Sequence, residues 1–126
     1  MEDSKNKEME DALSAISSMI EKSEKAQQKF AKGTSQYTLL SNRRKALYIA
    51  SSLIAKELKN KDVVAIFTKE DFHGALAPIN SLISKSEKAQ TKLADNTWQY
   101  RMLAANLKAL YLALPLLMKA LDEFEN

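Results

Sequence analysis

A six-residue stretch rich in polar side chains occurs twice in this chain. Residues 22–27 read Lys-Ser-Glu-Lys-Ala-Gln, and residues 85–90 repeat these letters without change, at an offset of half the 126-residue length. Serine hydroxyls and glutamine amides can both donate and accept hydrogen bonds, and the lysines attract anions. The stretch therefore predicts either an anion-binding site or a set of hydrogen bonds that stabilises a turn.

A second shared motif, Thr-x-Gln-Tyr, follows each copy and ends at Tyr37 and at Tyr100. On a helical wheel of about 100° per residue, several shared polar residues fall among the apolar residues expected to face the core. The candidate ligand-binding residues are Ser23, Gln27, Gln36, Tyr37 and Arg43 in the first copy, and Ser86, Gln90, Gln99, Tyr100 and Asn106 in the second. Nearby residues that would supply charge or stacking faces are Lys25, Arg44, Lys88, Arg101 and Trp98.

Positive charge is concentrated around these motifs. Residues 22–45 hold seven Lys or Arg and one acid, and residues 85–108 hold five and two, although the whole chain has a net charge of only +3. The rest of the molecule is therefore acidic, and the basic part should attract an anionic small molecule or an acidic protein partner. Glu24 and Glu87 interrupt the basic residues and no nucleic-acid recognition module is present, which argues against nucleic acid.

Few residues are suited to catalysis. The chain has no Cys and one His, and it lacks a Gly-rich phosphate loop, which argues against enzymatic activity. Glu70 and His73 have the i, i+3 spacing of a di-iron ligand pair. The equivalent residues of the first copy are Lys7 and Glu10, so the second ligand pair is missing. We therefore predict no catalytic residue, no metal and no cofactor.

Apolar residues at helical spacing predict four helices. The first runs through Met9, Ile16 and Ile20 and continues to Phe30, where Gly33 would end it. The others are predicted at about 35–59, 69–93 and 98–123, with Thr34, Thr68 and Thr97 as N-caps and Phe67 and Phe72 as a hydrophobic staple. Gly74 and Pro78 predict a kink or break in the third helix, and Pro115 a bend in the fourth.

Short turns join the helices of each copy, so each copy should form an antiparallel hairpin. The fold class predicted is all-α, an antiparallel up-down-up-down four-helix bundle with pseudo-twofold symmetry. The chain forms a single domain, 1–126, with repeats at about 1–62 and 63–126. In this arrangement both Thr-x-Gln-Tyr turns lie at the same end of the bundle.

The fourth helix has a wide apolar surface to which Leu112 and Leu116 contribute. Either this surface is an interface for a homodimer or a docked partner, or the bend at Pro115 and the connector 63–67 cover it. The longest apolar run, 109–118, is shorter than the ~20 residues that cross a bilayer. With a charged N-terminal segment, this predicts a cytoplasmic protein without a membrane partner.

The pattern Ser-Glu-Lys-Ala-Gln, Thr-x-Gln-Tyr and Lys-Ala-Leu-Tyr in each half resembles small bacterial helical proteins of unknown function. The resemblance covers nearly the whole chain and implies a duplicated helical hairpin, but no activity. The sequence thus favours a non-enzymatic module that binds an anionic ligand or acidic partner at the basic turns. The alternative is a structural or assembly protein that self-associates, or docks a partner, through the fourth helix.

Overall fold

The computed structural model describes residues 2–59 and 67–125, which form an all-α bundle of four helices. The helices are α1 (Glu2–Gln27), α2 (Ser35–Lys59), α3 (Lys69–Thr91) and α4 (Trp98–Glu125). The predicted fold class is therefore confirmed. The predicted connector from residue 63 to Phe67 lies, except for Phe67, outside the described residues.

Side chains of the predicted capping residues begin three of the helices. Thr34 Oγ1 accepts a hydrogen bond from the Tyr37 backbone N–H at 3.2 Å, and Thr97 Oγ1 accepts the equivalent bond from Tyr100 at the same distance. Thr68 and Asp71 form a reciprocal capping box at the start of α3. These bonds satisfy backbone donors that have no partner inside a helix, so local sequence alone places the three starts.

The staple predicted next to the third cap is also present. The Phe67 and Phe72 rings lie 6.0 Å apart, centroid to centroid, at an interplanar angle of 63°. Phe72 also packs against Phe124 near the end of α4, at 5.7 Å between ring centroids. The staple is therefore part of the contact between the start of α3 and the end of α4.

The end of α1 differs from the prediction. The α-helix stops at Gln27, and the next backbone bonds, from Lys29 to Ala26 and from Phe30 to Gln27, have the i to i+3 spacing of a tight turn. Gly33 does adopt a left-handed conformation, with φ of 92°, but in the loop and not at the helix terminus. In α3, where a kink or a break was predicted, the helix continues through Gly74 and Pro78 without a break.

The helices pack as an up-down bundle with one short diagonal. α1 and α3 each contact both α2 and α4, and α2 also contacts α4, whereas α1 and α3 do not approach each other within the described residues. Lys22 Nζ, near the end of α1, lies 2.8 Å from Met102 Sδ, near the start of α4. This contact places the α1–α2 and α3–α4 loops at the same end, which we call the turn end.

Two salt bridges occupy equivalent positions in the two copies. Lys45 Nζ lies 2.7 Å from Asp71 Oδ1, and Lys108 Nζ lies 3.7 Å from Glu8 Oε1. Each residue of one pair is 63 positions from its counterpart in the other. The α2–α3 contact therefore uses the same register as the α4–α1 contact, as pseudo-twofold packing requires.

The core shows the same equivalence. Ile16 and Ile79 are buried on α1 and α3, and Leu47 and Leu110 are buried on α2 and α4, each at 1% exposure or less. These four positions are related by the same offset. Each copy thus supplies the same apolar positions to one shared core.

Helix α4 is more apolar than the other three helices. Within Trp98–Phe124, a window of 18 residues reaches a mean hydropathy of 1.3, and 33% of it is buried in the bundle. By length and composition alone this helix is long and apolar enough to cross a membrane, although its longest uninterrupted apolar run is short. The core helix of a soluble bundle passes the same test.

Candidate functional site

Gln27 is the centre of a hydrogen-bond network at the turn end. Its side chain is buried, at 4% exposure, and Nε2 donates to the Tyr37 carbonyl at 3.2 Å and to Ser41 Oγ. Its Oε1 accepts a hydrogen bond from Arg44 Nη1 at 2.5 Å. A buried amide with donors and acceptor satisfied fixes its neighbours in position. Gln27 therefore joins the end of α1 to the first three turns of α2.

Arg44 is the charged member of this network. Nη2 lies 3.8 Å from Glu24 Oε2, which is longer than the 2.7–2.9 Å typical of a charge-assisted hydrogen bond. Its Nε is buried and has no hydrogen-bond partner among the described residues. The guanidinium is thus positioned by Gln27 but only loosely neutralised by Glu24.

A pocket opens beside this network. Its volume is about 340 Å³, and its lining combines cationic, amide and aromatic side chains. The lining residues are Glu24, Gln27, Gln28, Phe30, Lys32, Tyr37 and Arg44. The volume is at the lower end of the range for small-molecule sites. Two of the sequence-predicted residues, Gln27 and Tyr37, belong to this pocket, and Arg44 was expected to supply charge.

The second copy lacks the same chemistry. Gln90 donates to the Tyr100 carbonyl at 3.4 Å, as Gln27 does to Tyr37. The positions equivalent to Ser41, Arg44 and Lys32 are, however, Ala104, Leu107 and Asp95. The second copy therefore keeps one hydrogen bond of the network but not its cations.

Glu87 shows how this difference changes the local contacts. Its equivalent, Glu24, lies near Arg44, but position 107 is Leu and offers no charge. Glu87 Oε2 accepts a hydrogen bond from the Tyr111 hydroxyl instead. This hydrogen bond raises the pKa of Tyr111 above its usual value, with smaller contributions from desolvation and from the carboxylate charge.

Four other predicted residues lie inside or partly inside the bundle. Ser23, Ser86 and Asn106 are buried, and Arg43 is half-buried. Burial lowers the pKa of the Arg43 guanidinium, and no ion pair to it is formed among the described residues. The turn end therefore does have a partly polar interior, but none of these four lines the pocket.

The first turns of α2 and α4 extend past the neighbouring helices. Because α1 ends level with Tyr37 and Ser41, Gln36 lies beyond it and is exposed, as is Gln99 in the second copy. Both had been predicted to lie among the apolar residues that face the core. Tyr37 and Tyr100 are half-buried. Their backbone carbonyls, and not their hydroxyls, accept the hydrogen bonds from the side-chain amides of Gln27 and Gln90.

The predicted interface residues of α4 are less accessible than expected. Leu112 and Leu116 are half-buried and pack against the core. The large apolar side chains that α4 exposes are Trp98, Tyr111, Met118 and Phe124. An interface on α4 would therefore be built from these residues.

The acids and His73 do not converge. No group of three or more His, Asp or Glu residues is close enough to hold a metal ion in the part of the chain that the structure describes. Glu70 and His73 are both exposed on the first turns of α3.

Sequence reasoning missed most of the pocket lining. Gln28, Phe30 and Lys32 lie in or beside the α1–α2 loop, and none of them is shared by the second copy. Residues shared by the two copies include those that the common fold requires, so sharing alone does not mark this pocket. The differing pairs Lys32/Asp95 and Arg44/Leu107 carried the signal that distinguishes the two turns.

The chain was compared with protein-family models, with curated proteins and with solved structures, and nothing in the three comparisons matches it. The resemblance to small bacterial helical proteins therefore depends on the repeated motifs alone.

Proposed function

We propose that this protein is a non-enzymatic binding module that recognises an anionic group in the pocket at the first-copy turn. The anionic group is a carboxylate or phosphate, carried by a small molecule or by an acidic partner. The observation that supports this most strongly is Arg44, a guanidinium fixed by Gln27 and facing a pocket of about 340 Å³.

The state of Arg44 favours an exchange of anions. Arginine binds carboxylates and phosphates best through two parallel hydrogen bonds. Glu24 lies 3.8 Å from Nη2 and does not supply such bonds. An incoming anion would displace Glu24 at little cost, and Lys32 on the same pocket would add a second positive charge.

The surrounding charge supports the same proposal. The segment 22–45 holds seven cations and one acid, while the chain as a whole has a net charge of +3. This asymmetry raises the local concentration of anions and increases their rate of association at low ionic strength.

Calorimetric titration with inorganic phosphate, ATP and a short glutamate peptide tests the proposal. At least one of these should bind and raise the melting temperature. Arg44→Leu and Lys32→Asp, which introduce the residues of the second copy, should each weaken binding by about tenfold or more. Glu24→Gln should strengthen it, because it removes the competing carboxylate.

Arg101→Leu is the matched control. It removes the same charge at the same end of the molecule, but Arg101 is exposed and does not line the pocket. It should change affinity by less than about threefold. If Arg44→Leu and Arg101→Leu lose the same affinity, the anion is attracted by the overall positive charge of the turn end and not bound in the pocket. Failure of all three probes to bind would contradict the proposal.

Self-association through α4 is a second candidate, favoured by the exposure of Met118 at 54%. Sedimentation of the wild type beside Met118→Glu tests it, since a charge on an exposed position leaves the fold intact. A dimer that Met118→Glu dissociates supports this candidate, and a monomeric wild type rejects it.

A further inference from the structure

Three large apolar side chains are exposed at the turn end. Phe30 lies in the α1–α2 loop, Leu39 in the second turn of α2, and Trp98 at the start of α4, with exposures of 39%, 51% and 63%. Because both loops lie at the same end, these three side chains project from one end of the bundle. The equivalent residues of the other copy are Leu93, Met102 and Ser35, so of the three only Trp98 corresponds to a polar residue.

Cations lie close to these side chains in the sequence. We define the tip as residues 28–39 and 92–101, which hold Lys29, Lys32, Lys92, Arg101 and a single acid, Asp95. All four cations are exposed and none forms a salt bridge among the described residues. The opposite end of the bundle carries the acids of the N-terminal segment and of the α4 terminus.

We infer that the tip docks on the surface of a bilayer that contains anionic lipids. Tryptophan prefers the depth of the headgroups, where its ring is desolvated and its N–H stays hydrated, and phenylalanine and leucine bury apolar surface beside it. Basic residues beside them are attracted to the negative surface potential, which decays within a Debye length. Each contribution alone gives weak binding, and the tip combines both.

The charge distribution sets the orientation. Attraction at the tip and repulsion at the acidic end place the bundle upright, with the termini away from the membrane. The sequence predicted no membrane partner because its apolar runs are short. That criterion concerns helices that span a bilayer, and it says nothing about binding to the membrane surface. The tip shares Gln28, Phe30, Lys32 and Tyr37 with the proposed pocket, but Arg44 and Glu24 lie outside the tip. A variant of Arg44 therefore separates this inference from the proposed function.

The single tryptophan of the chain, Trp98, makes the test direct. The full-length protein is titrated with vesicles of phosphatidylglycerol and phosphatidylcholine, and separately with vesicles of phosphatidylcholine alone. We expect a blue shift of the Trp98 emission and flotation of the protein with the anionic vesicles only. Both should be lost as salt rises to about 0.5 M, where the Debye length is only a few ångströms.

Variants locate the contact. Leu39→Ser, and Trp98→Ser measured by flotation, should each weaken vesicle binding by about fivefold or more. Tyr48→Ser is the matched control, because Tyr48 is 48% exposed, close to the 51% of Leu39, but lies in the middle of α2 and outside the tip. It should bind as the wild type does, and Arg44→Leu should also bind, which separates this inference from the pocket.

Several results would overturn the inference. Equal binding to both vesicle types, or equal losses for Leu39→Ser and Tyr48→Ser, would show unspecific adsorption. A Trp98 shift with soluble glycerol phosphate but not with vesicles would identify a small-anion site. A shift with a glutamate peptide but not with vesicles would identify the tip as a surface for an acidic protein. Absence of any shift would exclude the tip as a docking surface.

Discussion

Lys45 on α2 pairs with Asp71 on α3, with 2.7 Å between Nζ and Oδ1. The same carboxylate accepts the Thr68 backbone N–H at 3.0 Å and so closes the capping box of α3. One side chain thus both starts a helix and fixes its register against a neighbour. The hydrogen bond from Lys45 and then that from the Thr68 backbone hold the pKa of Asp71 below its usual value.

Replacing Asp71 should make stability less dependent on pH. Because the pKa is lower in the folded state, the contribution is present above the ordinary aspartate pKa of about 4 and is lost as the pH falls through the folded value. Asp71→Asn should lower the melting temperature by a few degrees at neutral pH. The difference from wild type should shrink as the pH falls below about 4.

The pH series of melting temperatures for Asp71→Asn has a control in Glu8→Gln. Glu8 lies 3.7 Å from Lys108 and caps no helix, so Glu8→Gln should lower the melting temperature less than Asp71→Asn does. A difference between Asp71→Asn and wild type that persists unchanged in acid would contradict the role assigned to the carboxylate.

Gln27 and Gln90 should differ in their importance for stability. Gln27→Ala leaves Arg44 and Ser41 without a buried partner and should lower the free energy of unfolding by about 2–3 kcal/mol. Gln90→Ala removes one bond of 3.4 Å from a partly exposed side chain and should cost less than about 1 kcal/mol. Urea denaturation measures both, and equal losses would show that the network of the first copy adds nothing.

The two glycines should respond to alanine in opposite directions. Gly74 lies inside α3, and an added Cβ would meet no atom within 4 Å. Gly74→Ala should therefore raise the free energy of unfolding by about 0.5–1 kcal/mol. Gly33 has φ of 92°, so Gly33→Ala should lower it by about 1 kcal/mol, although that site is also open. Chemical denaturation of the two variants side by side checks the signs.

The hydroxyl of Tyr111 should ionise at lower pH when Glu87 is neutralised. Its hydrogen bond to the carboxylate favours the protonated phenol, so this contribution to stability is present below pH 10 and is lost as the pH rises through the folded value. In Glu87→Gln, the pKa of Tyr111 should return toward 10.0. The absorbance change at alkaline pH, taken as a difference from Tyr111→Phe, measures it; an unchanged titration would deny the hydrogen bond.

Features set by neighbouring residues were predictable from the sequence. Thr34, Thr68 and Thr97 are caps, and each acts on a backbone donor three residues away. The bundle itself followed from the apolar spacing and from the repeat at a fixed offset. The caps depend on residues close together in the sequence, and the apolar spacing occurs in both copies, so each copy supports the helices predicted in the other.

Features set by distant contacts were not predictable. The end of α1 at Gln27 is accompanied by hydrogen bonds to Tyr37, Ser41 and Arg44 across the hairpin, which helical periodicity does not report. A helical wheel also assumes that a neighbouring helix packs along the whole length of α2. Gln36 lies past the end of α1, so α1 does not cover it. The candidate pocket was only partly predicted for the same reason, because Phe30 and Lys32 belong to a loop.

The two copies pack on each other in equivalent ways, as the salt bridges Lys45–Asp71 and Lys108–Glu8 show. This equivalence has a consequence for how the two halves of the chain can vary. A hairpin of this design presents a surface complementary to itself, so two separate copies would meet as an isologous dimer. In such a dimer every substitution appears twice. Linking both copies in one polypeptide removes that constraint, and one turn can then specialise, as Arg44 opposite Leu107 illustrates, while the other maintains the shared framework.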